Sequence, residues 1–309
     1  MAYDFEEMLQ TIKDKQWSLA DIDWDAPGAE TMTDELRAKM QPFMADLVWI
    51  EHVGARGFAS LATKAPTPTI KTIYEYFHAE EQKHANAELA LMKRWGMLDE
   101  DGTVPQPNIN VKMAIKVLDT YGDNLPLTAL ATLIPMLECA LDGALVKFLL
   151  DEVTDPVCHE VFKHINSDEA RHIVADFEVL NLIGAGPTHK LLIDSVGSLR
   201  PEIVLGLVVV FVPLINKMRD NIVAMGLPEQ KLYNAVKRFV TIGSRGEFTH
   251  RVPAYHFFRM YSGMVINRAH PYHKLLADPM VKITGFIPAR ILGKPQSWTE
   301  ELTHEPVAS

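Results

Sequence analysis

Two short stretches of this 309-residue chain hold residue types at a spacing that suits metal chemistry: Glu81 with His84 in AEEQKH, and Glu169 with His172 in SDEARH. On an α-helix, positions i and i+3 lie on nearly the same face one turn apart. Each pair can therefore aim a carboxylate oxygen and an imidazole nitrogen at a single point. Glu-x-x-His alone is a weak signal, and the same spacing recurs at Glu75/His78, Glu247/His250 and Glu301/His304. What separates two of the five is a further acid upstream: Glu51 stands thirty positions before Glu81, and Glu138 thirty-one before Glu169. Neither Glu247 nor Glu301 has a Glu at such a distance. Glu75 lies six residues before Glu81, roughly 240° round the same helix, and faces away.

Four carboxylates and two imidazoles without a thiolate form a hard donor set, suited to iron or manganese and not to structural zinc. Four negative charges also neutralise two divalent cations. To bring such residues together, the chain must run about one long helix down, turn, and come part of the way back between the lone Glu and its Glu-x-x-His. Two antiparallel pairs of this kind make a four-helix bundle. The local signals agree. A first helix is expected from a capping box of Thr31 with Asp34, broken or kinked at Pro42, and a second from about 43 to 63 carrying Glu51. Thr67 and Pro68 are a good N-cap and N1 pair for a helix reaching Trp95, where Gly96 stops it. A short helix near 111–121 follows a loop over 97–110. The stretch from about 125 to 152, LTALATLIPMLECALDGALVKFLL, is apolar on several faces and is expected at the middle of the fold. Pro135 and Gly143 flank Glu138 there, as a tolerated kink or as a local opening at the metal. The fourth helix runs from about 155 to 182. Further helices are expected over 201–225 and 228–242, and residues 245–296 are aromatic and basic.

At these residues, over roughly 43 to 182, the chain resembles the ferritin-like di-iron carboxylate superfamily. AEEQKH and SDEARH look like the paired metal-binding helices of soluble acyl-carrier-protein desaturases, ribonucleotide reductase small subunits and the related ligand-binding oxidases. The resemblance implies an all-α fold: residues 1–186 as an N-terminal arm and ferritin-like four-helix bundle, and 187–309 as additional helices packed on it, not a separate domain. It implies Glu51, Glu81, His84, Glu138, Glu169 and His172 as ligands of two iron ions, or of Mn/Fe, with Glu81 and either Glu138 or Glu169 as bridges. Glu80, Asp168, Lys83 and Arg171 then surround the imidazoles. The implied enzyme takes dioxygen as co-substrate and oxidises, hydroxylates or desaturates an apolar small molecule or acyl group. It draws electrons from a reductase or ferredoxin, and a homodimer is the family expectation. The alternative is a ferroxidase or metal-binding protein without organic turnover.

Several positions depart from those relatives. Four residues after His84, where reductase small subunits keep a radical Tyr, stands Glu88; Asp176 has the same offset from His172. Radical storage is therefore not expected, and both acids read as solvated bundle ends or salt-bridge partners, with outer-shell acids as the sharper reading. Gly54 replaces the cross-linked Val of the ligand-binding oxidases, and Ile165 replaces the third His of the arylamine oxygenases. Asp142, one turn beyond Glu138, is a candidate proton relay where oxygenases often place a Thr. His52, His78 and His164 read as hydrogen-bonding histidines. Trp17 and Trp24, in an irregular arm, are expected to pack on the bundle surface.

Composition bounds the rest. A net charge of −10 argues against nucleic acid or an anionic membrane as the main partner. Two cysteines, Cys139 and Cys158, make no disulfide framework and suit a reducing cytoplasm. No secretory signal opens the chain. Its longest apolar run, Ile203 to Ile215, contains Gly206 and Pro213 and falls short of the roughly 20 residues a span needs.

Overall fold

A computed structural model describes residues 3–100, 102–141, 149, 153–198, 200–201, 206–224, 226, 228–293 and 295. The described residues are helical, with no strand among them. Helix α1, Phe5–Asp14, is an element the sequence reading passed over. Asp4 caps it, accepting from the backbone of Glu6 and Glu7, and Leu9 and Ile12 turn inward.

Helix α2 spans Asp34–Lys64 and carries Glu51. It begins earlier than expected. Its cap is Thr33, whose hydroxyl accepts from Leu36 N at 3.2 Å, while Thr31 bonds back to Gly28 O at 2.7 Å. Pro42 lies inside it without ending it. The loss of one internal hydrogen bond is outweighed by burial of nearly every side chain from Phe43 to Ala62. After a three-residue turn, α3 runs Pro68–Arg94, capped by Thr67 as the sequence indicates. Helix α4, Ile109–Tyr121, starts on an Asn108 cap. Helix α5, Leu127–Leu141, continues through Pro135, and its buried residues bear out the central position read from its composition. Of the expected continuation to 152 only Leu149, helical and buried, is described; Asp142 and Gly143 lie outside the described residues. Helix α6, Pro156–Ala185, is opened by Asp155, whose side chain accepts from Val157 N.

These long helices pack as neighbours round a ring: α2 against α3, α3 against α6, α6 against α5, and α5 against α2. Close approach of α2 to the ring interior depends on Gly54 and Gly57. A Cβ at Gly57 would come within 2.3 Å of Ile134 Cδ1 on α5. The arm between α1 and α2 is fastened by Arg94, which donates to Trp24 O at 2.6 Å and Ala26 O at 2.7 Å and pairs with Asp155 at 2.8 Å. Trp95 also donates to Asp155, at 2.8 Å. One buried acid thus ties the end of α3 to the start of α6.

Beyond α6 come α7 (Thr188–Ser198), a π-helical turn Leu207–Phe211 leading into α8 (Val212–Ala224), α9 (Gln230–Gly243), α10 (Pro253–Ile266) and α11 (Asp278–Gly285). Helices α9 and α10 cover α5, and the turn before α8 packs on α4. Neither cysteine is in a disulfide, and both are buried. No helix of the described residues is long and apolar enough to cross a membrane.

Candidate metal centre

Each helix of the ring delivers its acid to the centre. Glu51 comes from α2, Glu81 and His84 from α3, Glu138 from α5, and Glu169 and His172 from α6. All six are buried. They form two groups that could hold a metal ion, Glu51, Glu81, His84 and Glu169, and Glu81, Glu138, Glu169 and His172, with donor atoms within 4.8 Å of one another in each. Glu81 and Glu169 belong to both. Of the two residues left open beside Glu81, it is Glu169 that falls in both groups.

Helical spacing explains the convergence. His84 Nδ1 lies 3.9 Å from its own-helix partner Glu81, but 3.2 Å from Glu169 across the ring and 3.7 Å from Glu51. His172 Nδ1 mirrors it, 3.8 Å from Glu169, 3.2 Å from Glu81 and 3.7 Å from Glu138. Neither Nδ1, nor Glu81 Oε1, makes a hydrogen bond of sound geometry although all are sealed from solvent. Buried polar atoms without partners are costly. Cations held by the two groups would satisfy these atoms, so the residues fit a metal pair.

The other imidazole nitrogens are held crosswise. Asp168, beside Glu169, takes His84 Nε2 at 3.1 Å, and Glu80, beside Glu81, takes His172 Nε2 at 2.9 Å. Each acid therefore orients the histidine of the opposite helix, and Nδ1 is the atom left to face the carboxylates. Arg171 Nη2 spans both acids, 3.2 Å from Glu80 and in close contact with Asp168. Lys83 is not its equivalent: it stands 4.0 Å from Asp168, donates to Gln16 at 3.2 Å and lies over the Trp17 ring.

The arm takes part in this layer, which the sequence reading missed. Trp17 Nε1 donates to Asp168 Oδ2 at 2.7 Å, and Gln16 to Glu80 Oε1 at 2.6 Å. Trp17 is thus a partner of the site, not surface packing, and stacks on His164 with centroids 4.9 Å apart. Its only sequence signal was an aromatic in a polar arm. His78 bonds Ala55 O at 2.8 Å, consistent with its ordinary reading.

Two further expectations are corrected. Glu88 and Asp176 are neither solvated nor salt-bridged; both are fully buried. Burial, then the charges of Glu51 and Glu81, push the Glu88 carboxyl well above its usual range, and burial with Glu138 does the same for Asp176, beside Tyr74. A four-residue step from each histidine keeps the side chain on the inner face, a geometry that weighed less in the sequence than their charge.

Electrostatics at the centre show crowding. Burial and neighbouring acids raise Glu81 and Glu169 well above the carboxylate range. Burial alone would raise Glu138 too, but hydrogen bonding with Glu169 and His172 holds it below its usual value. Burial opposes charge on the imidazoles, yet Asp168 and Glu51 carry His84 up to about 9, and Glu138, Glu80 and Glu81 raise His172 well above its ordinary value. For Glu81, Glu169 and both imidazoles the shifts favour the protonated form.

Gly54 has a specific task. A Cβ there would meet Glu81 Oε2 at 2.1 Å, so the shared carboxylate occupies space that any other residue would take. On the α2–α5 side, a cavity of about 20 Å³ touches Glu51, Glu81, Glu138 and Glu169, room for about one water-sized molecule. Its apolar walls Val53, Ile134, Leu137 and Leu214 are shared with a second cavity of about 70 Å³, lined further by Leu118, Leu130, Leu133, Val210, Phe211 and Phe258. Helices beyond α6 thus help to enclose the approach to the acids. Compared with protein-family models, with curated proteins and with solved structures, the chain finds no match.

Proposed function

We propose that this chain is a ferritin-like di-iron carboxylate oxidoreductase, with Mn/Fe as the alternative metal pair, that uses dioxygen to oxidise, hydroxylate or desaturate an apolar organic substrate. The observation that carries the reading is the pair of overlapping four-residue groups, sharing Glu81 and Glu169, beside an apolar cavity. Glu51, Glu81 and His84, and Glu138, Glu169 and His172, would hold the two ions. When bound and reduced, such a pair supplies electrons to dioxygen and an oxidant strong enough to attack a C–H bond.

The chain's own residues prepare that chemistry in three ways. Asp168 and Glu80 fix both imidazoles through Nε2, so that Nδ1 presents a lone pair at the centre with no reorganisation. Val53, Ile134, Leu137 and Leu214 exclude bulk water from the side on which a substrate reaches the acids. Burial next to Glu51 favours the protonated form of the Glu88 carboxyl, one turn from His84. Electrons must arrive from outside, from a reductase or ferredoxin.

The apolar cavity favours organic turnover over the ferroxidase reading, since iron handling needs a polar route for hydrated cations. The test is anaerobic loading with ferrous iron, then admission of dioxygen with and without apolar compounds, following the visible spectrum and the products. Oxidised organic product, formed faster than the spectrum returns without the compound, supports the reading. Ferrous iron consumed over many turnovers with no organic product supports the ferroxidase and overturns it.

A further inference from the structure

The chain-wide charge of −10 conceals a segregation. Residues 251–290 contain six Lys and Arg and one acid, Asp278, and Asp278 is engaged by Arg268 at 3.3 Å and Arg219 at 3.6 Å. The same stretch gathers exposed large apolar side chains: Leu275, Ile283 and Phe286 are 75, 56 and 86 % exposed, and Ile291 just beyond is 66 % exposed.

Their arrangement follows from one helical ridge, in which the π-helical turn His273–Ala277 runs directly into α11. His273, Ala277 and Thr284 face the protein, whereas Leu275, Lys282, Ile283 and Phe286 face out; Lys274, in the π-helical turn, and Arg290, in the turn after α11, are exposed as well. The inner face is anchored. His273 Nε2 meets Val265 O at 3.1 Å, and α11 packs on α8 and α4. The outward apolar residues therefore sit on a fixed element with cations interleaved.

We propose that this ridge seats on the surface of an anionic phospholipid bilayer, with Leu275, Ile283 and Phe286 entering the acyl boundary and Lys274, Lys282 and Arg290 meeting the headgroups. An amphipathic helix with basic residues at its apolar margin is the chemistry such surfaces bind. The contact is interfacial, since no described helix can span. Fluid acyl chains accept apolar tips at irregular spacing, whereas a protein partner needs a matching pocket for each. An acidic face of a second copy would answer the charge, but joining two different patches of one chain gives a head-to-tail contact that need not close.

The test is co-sedimentation of the full chain with phosphatidylcholine vesicles with and without about one-third phosphatidylserine, at low and high salt. Binding is expected only with the anionic lipid and is lost at high salt. Either Lys274→Glu/Lys282→Glu/Arg290→Glu or Leu275→Ser/Ile283→Ser/Phe286→Ser should weaken it by roughly tenfold or more, with melting temperature and metal content unchanged because all six side chains are exposed. Equal sedimentation with neutral and anionic vesicles, no sedimentation with either, or variants that bind like the parent chain overturns the proposal. So does a concentration-dependent rise in molar mass that the Ser variant abolishes, which would give the ridge to a second copy.

Discussion

Glu81 and Glu169 each face both imidazoles, whereas Glu51 and Glu138 each face one. The consequence is a difference in metal count. Glu81→Ala or Glu169→Ala should lose both ions while the chain stays folded, since each removes a shared donor and relieves crowding among buried acids. Glu51→Ala or Glu138→Ala should retain about half the metal. Elemental analysis of the purified variants reads this directly, and equal losses in all four would refute the sharing. Gly54→Ala tests the site from the other side. Its methyl group displaces Glu81, so metal content should fall, while overpacking costs the metal-free chain about 1–3 kcal/mol. Both glutamates were legible because helical spacing fixes which residue types share a face. Gly54 was visible only as a departure from a resembling family, because what it accommodates comes from another helix.

The elements hold the site through contacts far apart in sequence, and these were the least legible. Thr67, Pro68 and Gly96 mark α3 correctly, whereas α1 and the true start of α2 were obscured by a short acidic arm and by Pro42. Local signals bound a helix; burial decides whether a proline inside it is tolerated. Arg94 and Asp155 illustrate the same point, since nothing in their local sequence indicates that they join the arm, α3 and α6. Arg94→Ala leaves Asp155 buried without its cation, at a cost of about 3–5 kcal/mol. A calorimetric melting temperature lower by several degrees is expected, against no change if the pair is idle.

At the scale of the whole molecule, pH dependence reports how much repulsion the fold stores. His84, raised from 6.5 to about 9, binds its proton more tightly when folded. Its contribution is complete below about pH 6.5 and is lost as pH rises through about 9. Glu81, Glu169, Glu88 and Asp176 have raised values too, so their ionisation favours the unfolded chain as pH climbs above the ordinary carboxylate range. Glu80, Asp168 and Glu138 are lowered; their contribution fails only in acid and leaves this window untouched. The melting temperature of metal-free protein should therefore fall between pH 6.5 and 9, and metal should flatten the curve by replacing protons. A metal-free melting temperature that rises with pH would contradict the charge balance. The whole-chain composition was a poor guide to the surface, because a net −10 averages an acidic ring with a basic C-terminal ridge.

The central claim is that six buried side chains hold two metal ions, and metal per chain tests it most directly. Protein made metal-free, loaded anaerobically with ferrous iron and freed of excess, should carry two ions per chain, falling to none in Glu81→Ala. No retained iron, or a single zinc that ferrous iron does not displace, would mean that the carboxylates and imidazoles at the centre of the ring are not the working site.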